Sequence, residues 1–468
     1  DYPDVLEQRI IEFGVQIQRE LFAQCLHEAE SKLCEDFSCH DCGCNVARDG
    51  HTSLKIATRF GVVKVERQVL ECKTCSEHFM PLNSILPEHN GMVITRGLQE
   101  LACLLSIFTS YRTAQRILGW FCEDSDVLCA RKVEDLVNQH GSKIRRQEIE
   151  ESRVIENASR PEAVLQRLKD VVPSGEGVWP EDVKEAAKQA FGCQDIDMIP
   201  FNMPKRDWDR VLQYVREKEG STGELDPSLL AKLGPRPKEG EVVIFADGVV
   251  IHGRGEDKRP EETVMVLRTS DKERYFSGPR EDVIEIVTSW VKGLKPGKVI
   301  IVGDGAKWIR EGLYGSIAGL GYDTLFVLDW YHLQKKVAEL LSMVCNRKKH
   351  RNEVMEEIRP LLWTGRVDEA IERLHVLVPE PRSPGKFNEL VSYLEVRKPF
   401  IQDYDARKNN REYNGSGIVE KANDLLVARR QKVAGMSWSR EGSDTLCALT
   451  TLWDNGEWDR YWTDIEAA

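Results

Sequence analysis

Val242-Val243-Ile244-Phe245-Ala246-Asp247-Gly248 and Val299-Ile300-Ile301-Val302-Gly303-Asp304-Gly305 repeat one pattern, an apolar run closed by Asp-Gly. A short uninterrupted apolar run reads as a strand buried on both faces, as in the parallel part of an α/β sheet. Asp-Gly is a turn pairing that any β-protein contains. Its recurrence after two such strands points further, because a carboxylate just past a buried strand is held rigidly at the sheet rim, where a metal ligand is useful.

Working outward, strands are expected at 241–251, 262–269 and 273–277, a helix at about 280–293, a strand at 298–303, a helix at 307–319 and a strand at 324–328. Three strands, helix, strand, helix, strand fits a ribonuclease-H-like α/β layer, a mixed sheet with helices packed on it. In that arrangement the first and fourth strands are adjacent and parallel, so Asp247 and Asp304 would sit side by side. A helical stretch from about 331 to 405 interrupts the layer before a helix bearing Glu420 closes it.

Glu420 lies in Ser416-Gly417-Ile418-Val419-Glu420-Lys421-Ala422-Asn423-Asp424-Leu425-Leu426. Ser416 is placed to cap that helix, and a first-turn Glu suits the helix dipole in any case. The apolar stripe Ile418, Ala422, Leu425 and Leu426 lies on the far side of the helix, so the core does not hide Glu420. Asp329-Trp330-Tyr331-His332 follows the last strand. It reads as an N-cap aspartate with a histidine one turn on, or, since that strand should lie beside the Asp304 strand, as a pair lining the site or touching DNA. Asp247, Asp304 and Glu420 together are the donor set for two magnesium (or manganese) ions, which could activate a water or a 3′-hydroxyl and stabilise a leaving oxygen in phosphoryl transfer. No Walker loop or dinucleotide fingerprint competes.

Upstream, residues from about 5 to 33 show helical periodicity. Cys39-x-x-Cys42 and Cys72-x-x-Cys75 each offer two thiolates to a tetrahedral structural zinc, with Cys34, His40 and Cys44 as nearby spares. Between the pairs, the alternating runs 52–58 and 62–69, joined at Arg59-Phe60-Gly61, read as a hairpin that brings the two knuckles together. Residues 92–148 read as helices around Leu98, Leu101, Leu104, Leu105, Ile107, Ile117, Leu118, Leu128, Val133 and Leu136. Residues 149–240 carry Gly- and Pro-rich stretches and no assignable role.

The chain has 468 residues, 41% of them hydrophobic and 30% charged, which suits a globular protein of several domains with a full-sized core. Its apolar stretches are too short to span a bilayer, and neither a signal peptide nor a lipidation motif is read, so a cytoplasmic, nucleoid-associated protein is expected. Seven of the thirteen cysteines fall between Cys25 and Cys75, a clustering that favours a metal site in a reducing compartment over disulfides. A net charge of −12 argues against a uniformly DNA-coating protein but leaves room for local phosphate grips. Lys335, Lys336, Arg347, Lys348, Lys349, Arg429, Arg430 and Lys432 are the candidates for those grips. Trp438, Trp453, Trp458 and Trp462 are read as core.

With these residues in hand, the chain resembles the ISKra group of bacterial insertion-sequence transposases, relatives of Mutator-like elements with a DDE core. The likeness rests on Phe245-Ala246-Asp247-Gly248, Val302 to Ile309, Leu328-Asp329-Trp330-Tyr331-His332, Gly417 to Lys421, Asn455 to Trp462, and the cysteine pairs with Arg59-Phe60-Gly61-Val62-Val63 and Pro81-Leu82. It implies that Asp247, Asp304 and Glu420 are the catalytic, metal-binding triad and that Asp329 and His332 form the D-x-x-H signature. It also implies terminal-inverted-repeat DNA as substrate and a working homodimer. The expected organisation is an N-terminal helix (1–33), a zinc ribbon (34–85), a helical DNA-binding region (86–148), an accessory segment (149–240), a catalytic core in two parts (241–329 and 411–468) and a helical insertion (330–410). Two other readings stand beside the transposase: a catalytically silent DNA-binding regulator, and a nuclease that hydrolyses without joining.

Overall fold

Two alternating runs around Arg59-Phe60 and an apolar five-strand pattern after residue 240 organise the two halves of the chain. The computed structural model describes residues 2–157 and 235–464, apart from residues 36, 87, 90, 91, 236, 256, 257 and 271. Most of the 149–240 accessory segment thus lies outside the described residues. The chain divides into two units, Asp1–Ser142 and Lys143–Ala468.

In the first unit, α1 spans Tyr2–Glu35, and strands β1 (Val46–Thr58) and β2 (Gly61–Cys72) form the expected hairpin. Short strands β3 (His78–Phe79), β4 (Glu88–His89) and β5 (Met92–Ile94) complete a sheet of order β3-β2-β1-β5-β4. Alternation sends Ile56, Val63 and Val65 inward, where they meet Leu82, Val93 and the α1 residues Phe22 and Leu26. Glu30 of α1 is buried and accepts a bond from the Gln68 backbone N–H at 2.8 Å, which fixes helix against hairpin. Helices α2 (Arg96–Phe108), α3 (Tyr111–Phe121) and α4 (Ala130–Asn157) follow, and α4 runs on into the second unit.

The second unit is built on a five-strand mixed sheet, order β10-β9-β6-β7-β8, from β6 (Glu241–Val250), β7 (Glu261–Arg268), β8 (Glu273–Gly278), β9 (Lys298–Gly303) and β10 (Asp323–Leu328). β6, β7 and β8 form an antiparallel meander, and β9 and β10 run parallel to β6. Val242, Ile244 and Ala246 point to one face, where they pack with Val283, Val287 and Trp290 of α5 (Arg280–Leu294) and with Ile309 and Leu313 of a π-helical turn, Trp308–Leu313, that leads into α6 (Tyr314–Ala318).

After β10 come α7 (Trp330–Val344), α8 (Lys348–Trp363), α9 (Val367–Leu377), α10 (Pro384–Arg397) and α11 (Tyr404–Asn409). Tyr404 is fully buried, and its hydroxyl donates to the Leu328 carbonyl at 2.8 Å, tying these helices to the end of β10. The chain then returns through α12 (Gly417–Asn423), a second π-helical turn (Asp424–Ala428), α13 (Arg429–Gln431), α14 (Arg440–Asp454) and α15 (Trp458–Asp464). Asn455 pairs with both backbone groups of Tyr275 at 2.9 Å, and Glu457 takes the buried Arg274 at 3.0 and 3.2 Å, so the C-terminal helices are fastened to β8. Trp438, Trp458 and Trp462 are core residues as expected, whereas Trp453 is 37% exposed. No helix among the described residues is long and apolar enough to cross a membrane.

Candidate metal centres

Two matching knuckles hold the four cysteines of the first unit. In each, the first cysteine's carbonyl accepts the N–H four residues on (Gly43 to Cys39, 2.9 Å; Ser76 to Cys72, 2.8 Å), and its own N–H donates to the carbonyl five residues on (Cys44, 3.0 Å; Glu77, 2.9 Å). Gly43 and Ser76 both take left-handed backbone conformations, with φ of 68° and 59°, to close these turns. The hairpin register then brings the knuckles together. Sγ atoms stand 3.4 Å (Cys39–Cys75), 3.5 Å (Cys42–Cys72) and 3.9 Å (Cys42–Cys75) apart, and all four lie within 4.8 Å of one another. Four thiolates bound to one zinc at about 2.3 Å stand roughly 3.8 Å from each other, so the set fits a closed structural site.

The electrostatics agree with a site built for a cation. Backbone N–H groups of Cys75 and Thr74 pull the Cys72 thiol down to about 6. Cys42 feels the lowering N–H of Cys44, but the crowded thiols of Cys72 and Cys39 outweigh it and push it up. A lowered thiol pKa favours the thiolate, the form that binds metal. His40, Cys34 and Cys44 stand outside the four-sulfur group; the His40 ring instead packs edge-on against Phe37 and Phe79, at 5.1 and 5.8 Å.

In the second unit, strand register decides where the carboxylates lie. Ala246 pairs with Gly303, and Gly303 pairs with Leu328, so the next residue of each strand is an aspartate: Asp247, Asp304 and Asp329. The pleat sends Asp247 and Asp304 to the same face as Val243, Phe245, Ile300 and Val302, opposite α5. β6 does not stop at Asp247; its pairing with β7 continues to Val250. The first aspartate therefore sits where the parallel partner ends and the antiparallel one goes on.

Each of these aspartates is held differently. Asp247 accepts from its neighbour Gly248 N–H at 2.8 Å and from Asn423 Nδ2 at 2.6 Å. Burial raises its pKa and the Asp304 charge adds to that, against the lowering effect of those two donors and of His332. Asp304 accepts the Ala306 N–H at 2.8 Å in a turn that only glycine closes well: Gly305 has φ +78°, and a Cβ there would lie 2.7 Å from Leu328 Cδ1. Asp329 is buried and caps α7 through Oδ1, which accepts the His332 N–H at 2.8 Å. Its Oδ2 accepts the Ser416 hydroxyl at 2.7 Å and the Ser416 backbone N–H. Burial works against the charge, but the His332 and Ser416 donors win and hold the carboxyl down at about 2. His332 stands with Nδ1 3.2 Å from Asp329 Oδ1; that contact raises its pKa against burial, and Asp304 and Asp247 raise it further.

Ser416 was expected to cap α12 with its side chain. It holds the N-cap position but makes no side-chain cap bond; its hydroxyl donates to Asp329 instead. Glu420 is exposed, one turn before Asn423 on the helix that packs over β6 and β7. The structure therefore brings Asp247 and Asp304 together and ties the Glu420 helix to Asp247 through Asn423. Among the described residues, the four cysteines are the one group of three or more His, Cys, Asp or Glu placed to hold a metal ion, and Asp247, Asp304 and Glu420 do not form a second such group. Asn423 and Ser416 are site residues that sequence reasoning passed over. Asn423 had one signal, its i+3 spacing from Glu420 on a shared helix face.

The candidate DNA grips divide. Lys335, Arg347, Lys348, Lys349, Arg429 and Lys432 are exposed, and Lys336 is half-exposed beside Glu339 at 3.2 Å. Arg430 is a correction. It is 4% exposed with its guanidinium 4.8 Å from the Trp438 ring centre, so it packs the core and does not face DNA.

Residues 245–462 match the family described as "Uncharacterised protein family (UPF0236)". The matched span holds Asp247, Asp304, Asp329, His332 and Glu420, and it leaves the four cysteines outside. Curated relatives include UPF0236 proteins of Caldanaerobacter subterraneus subsp. tengcongensis. One is 27% identical over 212 residues, covering 44% of this chain and 42% of the relative; another is 27% identical over the same length, covering 40% of the relative. The chain thus spans about two fifths of the length of the curated relatives it matches.

Proposed function

We propose that this chain is a DDE-type DNA transposase, with a ribonuclease-H-like catalytic core in its second unit and a zinc ribbon in its first. One observation carries the reading: the strand register sets Asp247 and Asp304 side by side where the parallel pairing of β6 with β9 ends, on the sheet face covered by the helix that bears Glu420. The strand order, with the first strand beside the fourth and the fourth beside the fifth, is the order that such a core requires. The resemblance to ISKra-group transposases rests mainly on residues inside the UPF0236 span, and it supplies DNA ends with terminal inverted repeats as substrate and a homodimer as the working form.

The donor set fits magnesium or manganese. Carboxylate oxygens are the hard ligands these ions take, and each Asp247 oxygen that accepts one hydrogen bond keeps a second lone pair. Asp247, Asp304 and Glu420 would hold these ions. When bound, the ions supply positive charge for the attacking and leaving oxygens. The chain's own residues do the positioning. Asn423 and the Gly248 N–H orient Asp247, the Ala306 N–H orients Asp304, and Asp329 locks His332 and the start of the Glu420 helix at the edge of the site.

The test is strand transfer with duplexes carrying the inverted repeats that flank the gene, in magnesium. Asp247→Asn, Asp304→Asn and Glu420→Gln are each expected to abolish cleavage and joining while the protein still binds DNA. Undiminished cleavage in any of the three refutes the assignment. Cleavage without joining in the parent protein favours a nuclease, and DNA binding without either favours a silent regulator.

A further inference from the structure

Arg397, the last residue of α10, is a half-buried cation. Its guanidinium carbon lies 4.0 Å from the centre of the Tyr393 ring, and its Nε is buried with no hydrogen-bond partner. No ion pair is formed by Arg397 among the described residues. An unpaired buried donor is unfavourable, and more so when charged, so such a group calls for a partner. Burial and the neighbouring Arg310 both disfavour its charged form, and only Tyr393 and Asp304 oppose them.

Its location gives the partner. A Cβ on Gly305 would stand 3.3 Å from Arg397 Nε, so the guanidinium lies against the loop that follows Asp304. Arg310 reaches the same loop from the other side of the sequence, donating from Nε to the Gly305 carbonyl at 3.0 Å. Arginine is the residue suited to a planar, bidentate grip on phosphate oxygens. Two guanidinium groups therefore flank the Asp304 end of the carboxylate site, one of them delivered by the helices inserted between β10 and α12.

We infer that Arg397, supported by Arg310, is a phosphate-binding site for a phosphodiester of the DNA strand lying at the Asp304 end of the catalytic cleft. The inserted helices thereby serve as more than a spacer, because they carry a second cation beside Arg310 to a cleft whose carboxylates repel DNA. This assignment rests on the proposed phosphoryl-transfer reading and deepens it by naming a substrate contact.

Binding is measured on the full-length protein with a duplex carrying the flanking inverted repeat, as a function of salt, in an Asp247→Asn background that cannot cut. Loss of one phosphate contact lowers the slope of log affinity against log salt by about 0.9 and weakens binding roughly five-fold near 0.15 M salt. Arg397→Gln is expected to show both changes, and Arg397→Lys, which keeps the charge, to recover most of the slope. The lysine variant and a circular-dichroism melt separate loss of contact from loss of fold. An Arg397→Gln protein that melts normally and keeps the parent affinity and slope overturns the assignment even if the parent cuts DNA. The same loss in a protein that never cuts upholds the phosphate contact and removes the transferase reading. A parent that binds no DNA removes both.

Discussion

Replacing Asp329 by Asn tests how the site is braced, and its size follows from the contacts. Asp329 is 2% exposed and accepts three hydrogen bonds, from the His332 N–H, the Ser416 N–H and the Ser416 hydroxyl. An amide keeps one acceptor oxygen for His332 and turns its NH2 toward the Ser416 N–H, so a buried donor faces a donor. Losing charge-assisted bonds and stranding that N–H costs about 2–4 kcal/mol. The depressed acidity gives an independent figure. A carboxyl held at about 2 against an ordinary 3.8 contributes about 2 kcal/mol. Because the folded-state value is the lower one, that contribution is complete above the ordinary value and is lost as pH falls through the folded value. Urea unfolding of the parent and Asp329→Asn proteins, followed by tryptophan fluorescence, should show a gap of that size at neutral pH, narrowing between about pH 4 and pH 2. Equal stability at neutral pH would refute the bracing role.

Two further outcomes follow from the same geometry. The parent protein should carry about one zinc per chain by elemental analysis, and Cys39→Ser should lose it, since Cys39 is one of the four thiolates that close the site; zinc content indifferent to that change rules the site out. Asn423→Ala removes the 2.6 Å donor that orients Asp247, so the magnesium concentration for half-maximal cleavage should rise roughly ten-fold or more while DNA affinity holds; an unchanged metal dependence would show that Asn423 plays no part.

Much of the second unit was legible because strands buried on both faces leave a plain apolar signal. β6 and β9 fall where their runs lie, and their parallel adjacency follows from the order of elements. The hairpin was legible for the opposite reason, its strict alternation. Its strands run longer than that alternation, because Asp49-Gly50 breaks the pattern at a register shift without ending the pairing. The helical face after Glu420 was less legible. A π-helical turn at Asp424–Ala428 shifts the helix phase, so Val427 and Arg430 are buried while Leu425 is only half-buried. A regular wheel therefore misplaces Arg430 among the surface cations. In α2 the largest side chains misled: Ala102 and Cys103 are buried, whereas Leu101, Leu104 and Leu105 are half-exposed. Contacts that span the fold, such as Ser416 with Asp329 and Asn423 with Asp247, join residues far apart in sequence, so their pairing has no local signature.

The claim on which the account stands is that Asp247, Asp304 and Glu420 share divalent cations. Anomalous diffraction from crystals soaked in manganese measures this directly. Strong peaks are expected between the Asp247 and Asp304 carboxylates, with Glu420 drawn within ligand distance of one of them. Peaks elsewhere, or none at these side chains, would contradict it.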